Sequence, residues 1–280
     1  VFVNKTFQYE RTPVGNYEDR WIFFAEVLFP QGWQQGQGVT LDGAELTEDL
    51  LPLTDQLPGV HVGRLYENYT DPRWRPGSLP ESKKGVLDSL NAGYGLAMHI
   101  GHGYRNVMEV GDGSLGNADA MALSNGNKLF NLYAIDCTSN AIDYPCIGEA
   151  FINAPGGGAV TNVGSTRFDF PAAGRAYQVE YFTRFAKDSI TAVGELQARQ
   201  KLPFAAYSTL DGVNRWTQFS LLMLGDPELR MWYGRPRTIA VSAPASVALS
   251  DSQFTVTVTS GGQPVANARV TAYRAGDEYR

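Results

Sequence analysis

The sequence predicts an α/β chain, a mostly parallel sheet flanked by helices, followed by the opening strands of a β-sandwich. Three observations predict it. Short apolar runs alternate with helical spacing through residues 1–236, the βαβα order of a parallel sheet covered on both faces. Two of these runs, Tyr94–Ile100 and Leu129–Asp136, are followed at once by His102 and Cys137, and parallel strands keep chemistry at their carboxyl ends. After residue 236 the pattern changes to short alternating strands with turn residues between them.

Residues 21–29 read as one buried strand, followed by a Gly/Gln-rich loop over 31–39. Leucines at 46, 50, 51, 53 and 57 approach helical spacing, with Glu48 and Asp49 early where the helix dipole favours acids. Pro52 interrupts that helix, by a kink or a later start. A strand over 59–66, a loop over 67–80 and a short helix over 80–90 follow. Then come the strand over 94–100, a long loop to about 116 and a helix over 118–123. The strand over 129–136 leads to a helix near 145–154, a turn at Pro155–Gly158 and a strand over 159–163. Helices are expected over 172–187, 189–200 and 214–224. The tail shows alternation at 238–249, 253–259 and 268–273, with a turn at Gly261–Pro264, as in the first strands of an immunoglobulin-like sandwich. The expected domains are 1–236, which holds the candidate site, and 237–280, which is too short for the roughly seven strands of a whole sandwich.

Bulk properties exclude several classes. The net charge is −6 with no basic run, which argues against nucleic acid as a partner. No apolar stretch reaches about 18 residues, so no membrane span is expected. The chain opens at Val1 without a leader, which reads as a processed or excised piece. Its 30 glycines, 14 tyrosines and few lysines lean toward an extracellular or cell-surface setting.

Cys137 and Cys146 lie close in sequence, one at a strand end and one near the next helix, so a disulfide is not expected. His102 stands between Gly101 and Gly103, where glycine leaves the backbone free and the imidazole uncovered. A thiol beside an imidazole is the minimum kit for cysteine nucleophilic catalysis. The Gly103 amide is placed to face a developing oxyanion. Glu26, near the end of the first strand, is the candidate third member that orients the ring, with Asp42 as second choice. Asp136 beside the thiol would raise its pKa. His99 and His102 are spaced to point to opposite faces, so no shared metal is expected. Asp112 and Asp119 make a structural calcium ion conceivable, without an EF-hand pattern, and no cofactor is required. Gly111–Gly116 spells G-x-G-x-x-G but lies well past its strand and reads as flexible turns.

Four segments in order, Ile100–Gly103, Ala122–Asn127, Ala134–Cys137 and Asp143–Glu149, resemble the gingipain-like cysteine peptidases. Tyr9-Glu10-Arg11 ahead of Trp21, and Gly225–Leu229 just before the sandwich, extend the resemblance over about residues 8–235. The resemblance implies a caspase-like fold and hydrolysis of peptide bonds by a Cys–His dyad through a thioester. It implies Cys137 as nucleophile, His102 as proton shuttle, Glu26 as supporting acid, and the amides of Gly103 and Cys137 as oxyanion hole. Known members select a basic residue before the scissile bond, which would give Asp42 the role of reading it. The pocket wall would come from Ser165–Phe170, with Thr166 and Phe168 against substrate, although Arg167 departs from the pattern. The implied partners are a protein or peptide substrate and other segments of a larger precursor. Two alternatives stand beside this reading: a non-catalytic surface or adhesive module, and a different thiol hydrolase or transpeptidase.

Overall fold

Helix α1 (Phe2–Arg11) leads into β1 (Arg20–Ala25), the hub of the main sheet. A computed structural model describes residues 1–74, 77–248, 250 and 252–271. After β1 come β2 (Val27–Phe29), β3 (Leu41–Asp42), α2 (Gly43–Glu48), α3 (Leu51–Thr54), β4 (His61–Tyr66) and β5 (Leu79–Pro80). Then follow α4 (Lys83–Ala92), β6 (Leu96–Ile100), β7 (Gly103–Tyr104), β8 (Val107–Val110), β9 (Gly113–Gly116) and α5 (Asn117–Met121). The next group is β10 (Phe130–Ile135), α6 (Ile147–Asn153), β11 (Ala159–Ser165), α7 (Pro171–Asp188), α8 (Val193–Arg199), α9 (Gly212–Ser220) and β12 (Leu221–Leu224). The order across the main sheet is β12-β11-β10-β6-β1-β4-β5, parallel except for β12.

Period-two alternation divides the sheet's side chains between two cores. Trp21, Phe23, Met98, Ile100, Tyr133 and Ile135 pack against α7 and α8. Trp21 sits 5.8 Å from each of Phe182 and Phe185, centroid to centroid. Ile22, Phe24, Ala97, Leu132 and Ala134 face α4, α5 and α6 through Val86, Leu90, Ala120 and Phe151. Near-continuous apolar strands are what burial on both faces requires, and they make the mixed α/β, mostly parallel class legible.

Five local features differ from the sequence reading. The run over 21–29 is two strands, because the Glu26 amide donates to Ile100 O and Val27 then turns to pair with Asp42. The stretch read as a loop to about 116 is a meander of β7, β8 and β9 whose Met108, Val110 and Leu115 enter the second core. The helix expected over 214–224 stops at Ser220, and Leu221–Leu224 forms the antiparallel edge strand on β11. Helix α1 has no counterpart in that reading; it is held by the buried Tyr9, whose hydroxyl accepts from Asn131 Nδ2 and the Trp232 amide, both at 3.0 Å. Pro52 falls in the first turn of α3, so the leucine-spaced helix is split in two.

The chain divides into two units, Val1–Arg235 and Pro236–Arg280. The second contains β13 (Ala240–Ser242), β14 (Thr257–Ser260) and β15 (Gln263–Pro264) in one antiparallel sheet, compatible with the beginning of an immunoglobulin-like sandwich. The last predicted strand, 268–273, runs partly outside the described residues.

Candidate active site

Register brings the ends of β6 and β10, which precede His102 and Cys137, to one level of the sheet. β6 and β10 are adjacent, with Ile100 opposite Ile135. His102 and Cys137 each lie two residues past those partners. Neighbouring strands are about 4.8 Å apart, so the two side chains leave adjacent strand tips. The loops are also tied directly: the Gly101 amide donates to Ile135 O (3.2 Å), and the Arg105 amide donates to Thr138 Oγ1 (2.7 Å). Both glycines flanking His102 have a packing reason. A Cβ on Gly101 would meet His99 and Glu26 Oε2 within 2.6 Å, and one on Gly103 would come 3.0 Å from Asp136 Oδ2.

Thr138, directly after the thiol, has φ of 60°, a region that β-branched residues avoid. Such backbone strain costs on the order of 1–3 kcal/mol and persists only where the surroundings enforce it. Here the Thr138 amide donates to Arg167 O and the Asn140 amide to Ser165 O, each at 3.0 Å. The turn that results leaves the Cys137 amide without an acceptor among the described residues. The Cys137 Sγ accepts a hydrogen bond from the Asp169 amide at 3.4 Å. Burial pushes the thiol above its ordinary pKa; the Asp169 amide opposes this, and the charges of Asp136 and Asp169 reinforce it. The resting sulfur is therefore a thiol that needs a base. Asp136 is itself buried, and burial raises its pKa to about 8.

The His102 ring has a main-chain partner. Its Nε2 lies 3.0 Å from Leu28 O. A carbonyl only accepts, so Nε2 carries the hydrogen, and Nδ1 of the neutral ring is the basic nitrogen. Phe29 lies edge-on to the ring at 6.3 Å. Glu26 was expected on the imidazole, but its Oε2 accepts from the His102 amide at 2.7 Å and so holds the backbone of the loop. Burial raises the Glu26 pKa to about 8, and nearby Glu109 and Glu67 push the same way. Asp42, expected either on the ring or reading substrate, is sealed at 1 % exposure. Its Oδ1 caps α2 at the Ala44 amide and its Oδ2 accepts from Asn68 Nδ2, both at 2.9 Å. Both of its oxygens are thus engaged within the chain.

Thr166 lines a pocket of about 500 Å³ together with Arg167, Arg215, Trp216 and Phe219. Phe168 is exposed, and its carbonyl accepts from Trp216 Nε1 at 2.7 Å. The calcium expectation does not fit the chemistry present. Asp112 accepts from the Lys83 amide (2.7 Å), and Asp119 pairs with Lys83 Nζ (2.9 Å), a cation supplied by the chain. Among the described residues no group of three or more His, Cys, Asp or Glu side chains is arranged to hold a metal. His99 is buried beside Phe24 and kept neutral, its pKa lowered to about 3 by burial. Cys146 is a buried free thiol at the start of α6.

Several site residues escaped the sequence reading. Leu28 acts through its carbonyl, which carries no signature in the side chain. Arg215 stands on α9, where helical spacing alone does not tell which face meets the site. The Ser165–Phe170 segment, with Asp169 in it, is the part of this wall that the sequence signals.

A search of curated proteins finds none that matches. Solved structures do match in fold. The Arg-specific cysteine proteinase gingipain R (RgpB) superimposes with a TM-score of 0.71 at 20 % identity, covering 91 % of this chain and 58 % of that one. The complex of Porphyromonas gingivalis RgpB pro- and mature domains gives 0.71 at 20 % identity, covering 91 % and 59 %. A structure described as a protease gives 0.68 at 18 % identity, covering 92 % and 58 %. This chain thus spans under two thirds of the length of each of these chains. The model of peptidase family C25 matches residues 1–232, so the chain belongs to peptidase family C25.

Proposed function

We propose that this chain is a cysteine endopeptidase in which Cys137 is the nucleophile and His102 the proton shuttle. The single observation that carries the reading is the register of β6 and β10, with Ile100 opposite Ile135, because the two residues each follow two positions past these adjacent strand ends. Nδ1 of His102 takes the thiol proton as Sγ attacks the scissile carbonyl, and a C–S bond forms as the carbonyl oxygen becomes an oxyanion. The amides of Cys137 and Gly103 face that oxyanion. Collapse breaks the C–N bond, the imidazolium returns the proton to the leaving amine, and a thioester remains. Water then attacks the thioester with His102 as base, releasing the acid and the thiol. Leu28 O fixes the ring's tautomer and Glu26 fixes its backbone. The partner is a polypeptide substrate, and we place the reaction outside the cell, as the composition favours. The immunoglobulin-like start of the tail and association with further precursor segments belong to the same proposal, supported by the β13–β15 sheet and by the family.

Incubation with a mixed peptide library, with cleavage sites identified by mass spectrometry, tests it. Discrete internal cleavages are expected that vanish in Cys137→Ala, a loss of several powers of ten. They persist in Cys146→Ala. Cleavage that survives Cys137→Ala, or intact peptides with the wild type, defeats the reading.

A further inference from the structure

We propose that the pocket beside Cys137 selects an acidic side chain, aspartate or glutamate, on the residue whose carbonyl is attacked, with Arg215 as the specificity-determining group. This rests on the reading of Cys137 as nucleophile. The pocket is contiguous with the catalytic turn. The carbonyl of Arg167, one of its walls, accepts from the Thr138 amide, and two residues on the Asp169 amide reaches Sγ. The opposite wall is α9, pinned by Trp216 Nε1 to Phe168 O (2.7 Å) and by the Thr166 amide and hydroxyl to Ser220 O (2.8 and 3.0 Å). A substrate carbonyl held at the sulfur therefore projects its own side chain toward this wall.

The charge in the pocket decides what fits. Arg167 is engaged by Asp143 at 3.2 Å and by the Thr166 carbonyl. The Arg215 guanidinium makes no hydrogen bond or ion pair among the described residues, although it lines the pocket. Of the surrounding acids, Asp143 pairs with Arg167, Asp211 accepts from the Asn214 amide at 2.8 Å, and Asp169 accepts from the Phe170 amide at 2.7 Å through Oδ1 while its Oδ2, closed off from solvent, has no partner. An unpaired guanidinium offers a planar fork of donors matched to a carboxylate. Trp216 and Phe219, 42 % and 81 % exposed, supply apolar walls for the methylenes and the backbone. A basic side chain would find like charge there, with Asp42 sealed and the unpartnered Asp169 Oδ2 closed off from solvent. The preference is opposite to that named for gingipain R.

Tripeptide acyloxymethyl ketones that differ only in carrying Asp, Gln or Lys next to the reactive carbonyl, each followed by intact mass, test this on the full chain. Labelling of Cys137 is expected to be at least about tenfold faster with Asp than with Lys, the scale of one charge-assisted contact. Arg215→Glu is expected to reverse that order and Arg215→Lys to retain it. A Lys probe that reacts as fast as the Asp probe, or an order unmoved by Arg215→Glu, overturns the proposal. Wild-type alkylation by iodoacetamide separates the two levels. If it depends on His102 but no ketone outpaces it, the pocket proposal fails alone. If it is independent of His102, both readings fall together.

Discussion

Glu26 and Leu28 exchange the roles expected of a catalytic acid and a silent neighbour. The carbonyl of Leu28 orients the imidazole and the Glu26 carboxyl group grips the amide behind it. A neutral isostere should therefore replace Glu26. Steady-state kinetics on a cleaved peptide are expected to place Glu26→Gln within about threefold of wild type, whereas Glu26→Ala loses on the order of a hundredfold because the loop shifts. Equal losses in the two variants would show that the charge acts on the ring itself. The candidate thiol and imidazole stand out in the sequence because both residue types are rare here and end apolar runs that the structure shows as adjacent strands. The orienting carbonyl was not, because any residue carries one. Asp42 carried two readings because a carboxylate before a helix serves equally as a cap, the use its Oδ1 has here.

The elements carry the site through close backbone approach. In α6, Gly148 packs on the turn after Cys137, and a Cβ there would clash with Asn140 Oδ1 and lie 2.5 Å from Asn162 Nδ2. Those two side chains hydrogen-bond each other at 2.9 Å and brace β11 against the turn after Cys137. Gly148→Ala is expected to destabilise the fold by about 1–3 kcal/mol, the range for overpacking. It should also lower kcat more than it raises KM, because the turn presents the thiol. Urea unfolding together with kinetics checks both, and a variant as stable and as active as wild type contradicts the account of the turn. The long strands and helices were read from their period because each buries a full apolar set. The β7–β9 meander and β12 were not, since strands of two to four residues are too short to establish a period and Leu221–Leu224 reads equally as a helix end.

For the whole molecule, burial of acids sets the response to pH. Glu26 and Asp136 have pKa values raised to about 8 from ordinary values of 4.5 and 3.8. Asp169 is raised to about 6 by burial. The folded state thus keeps protons that the unfolded chain releases, so stability is fully present near pH 4 and declines as pH rises toward about 8. The urea midpoint is expected to be lower at pH 8 than at pH 5, and Glu26→Gln with Asp136→Asn should flatten the slope. A midpoint that rises over this interval would contradict the sign. The thiol follows the same rule, since burial holds it protonated and leaves its reactivity to the neighbouring ring. The rate at which iodoacetamide alkylates Cys137 near neutral pH, compared between the wild type and His102→Ala, tests that dependence most directly. The account predicts a loss of at least about tenfold in the variant, the lower reach of general-base assistance. Equal rates in the two proteins would contradict it.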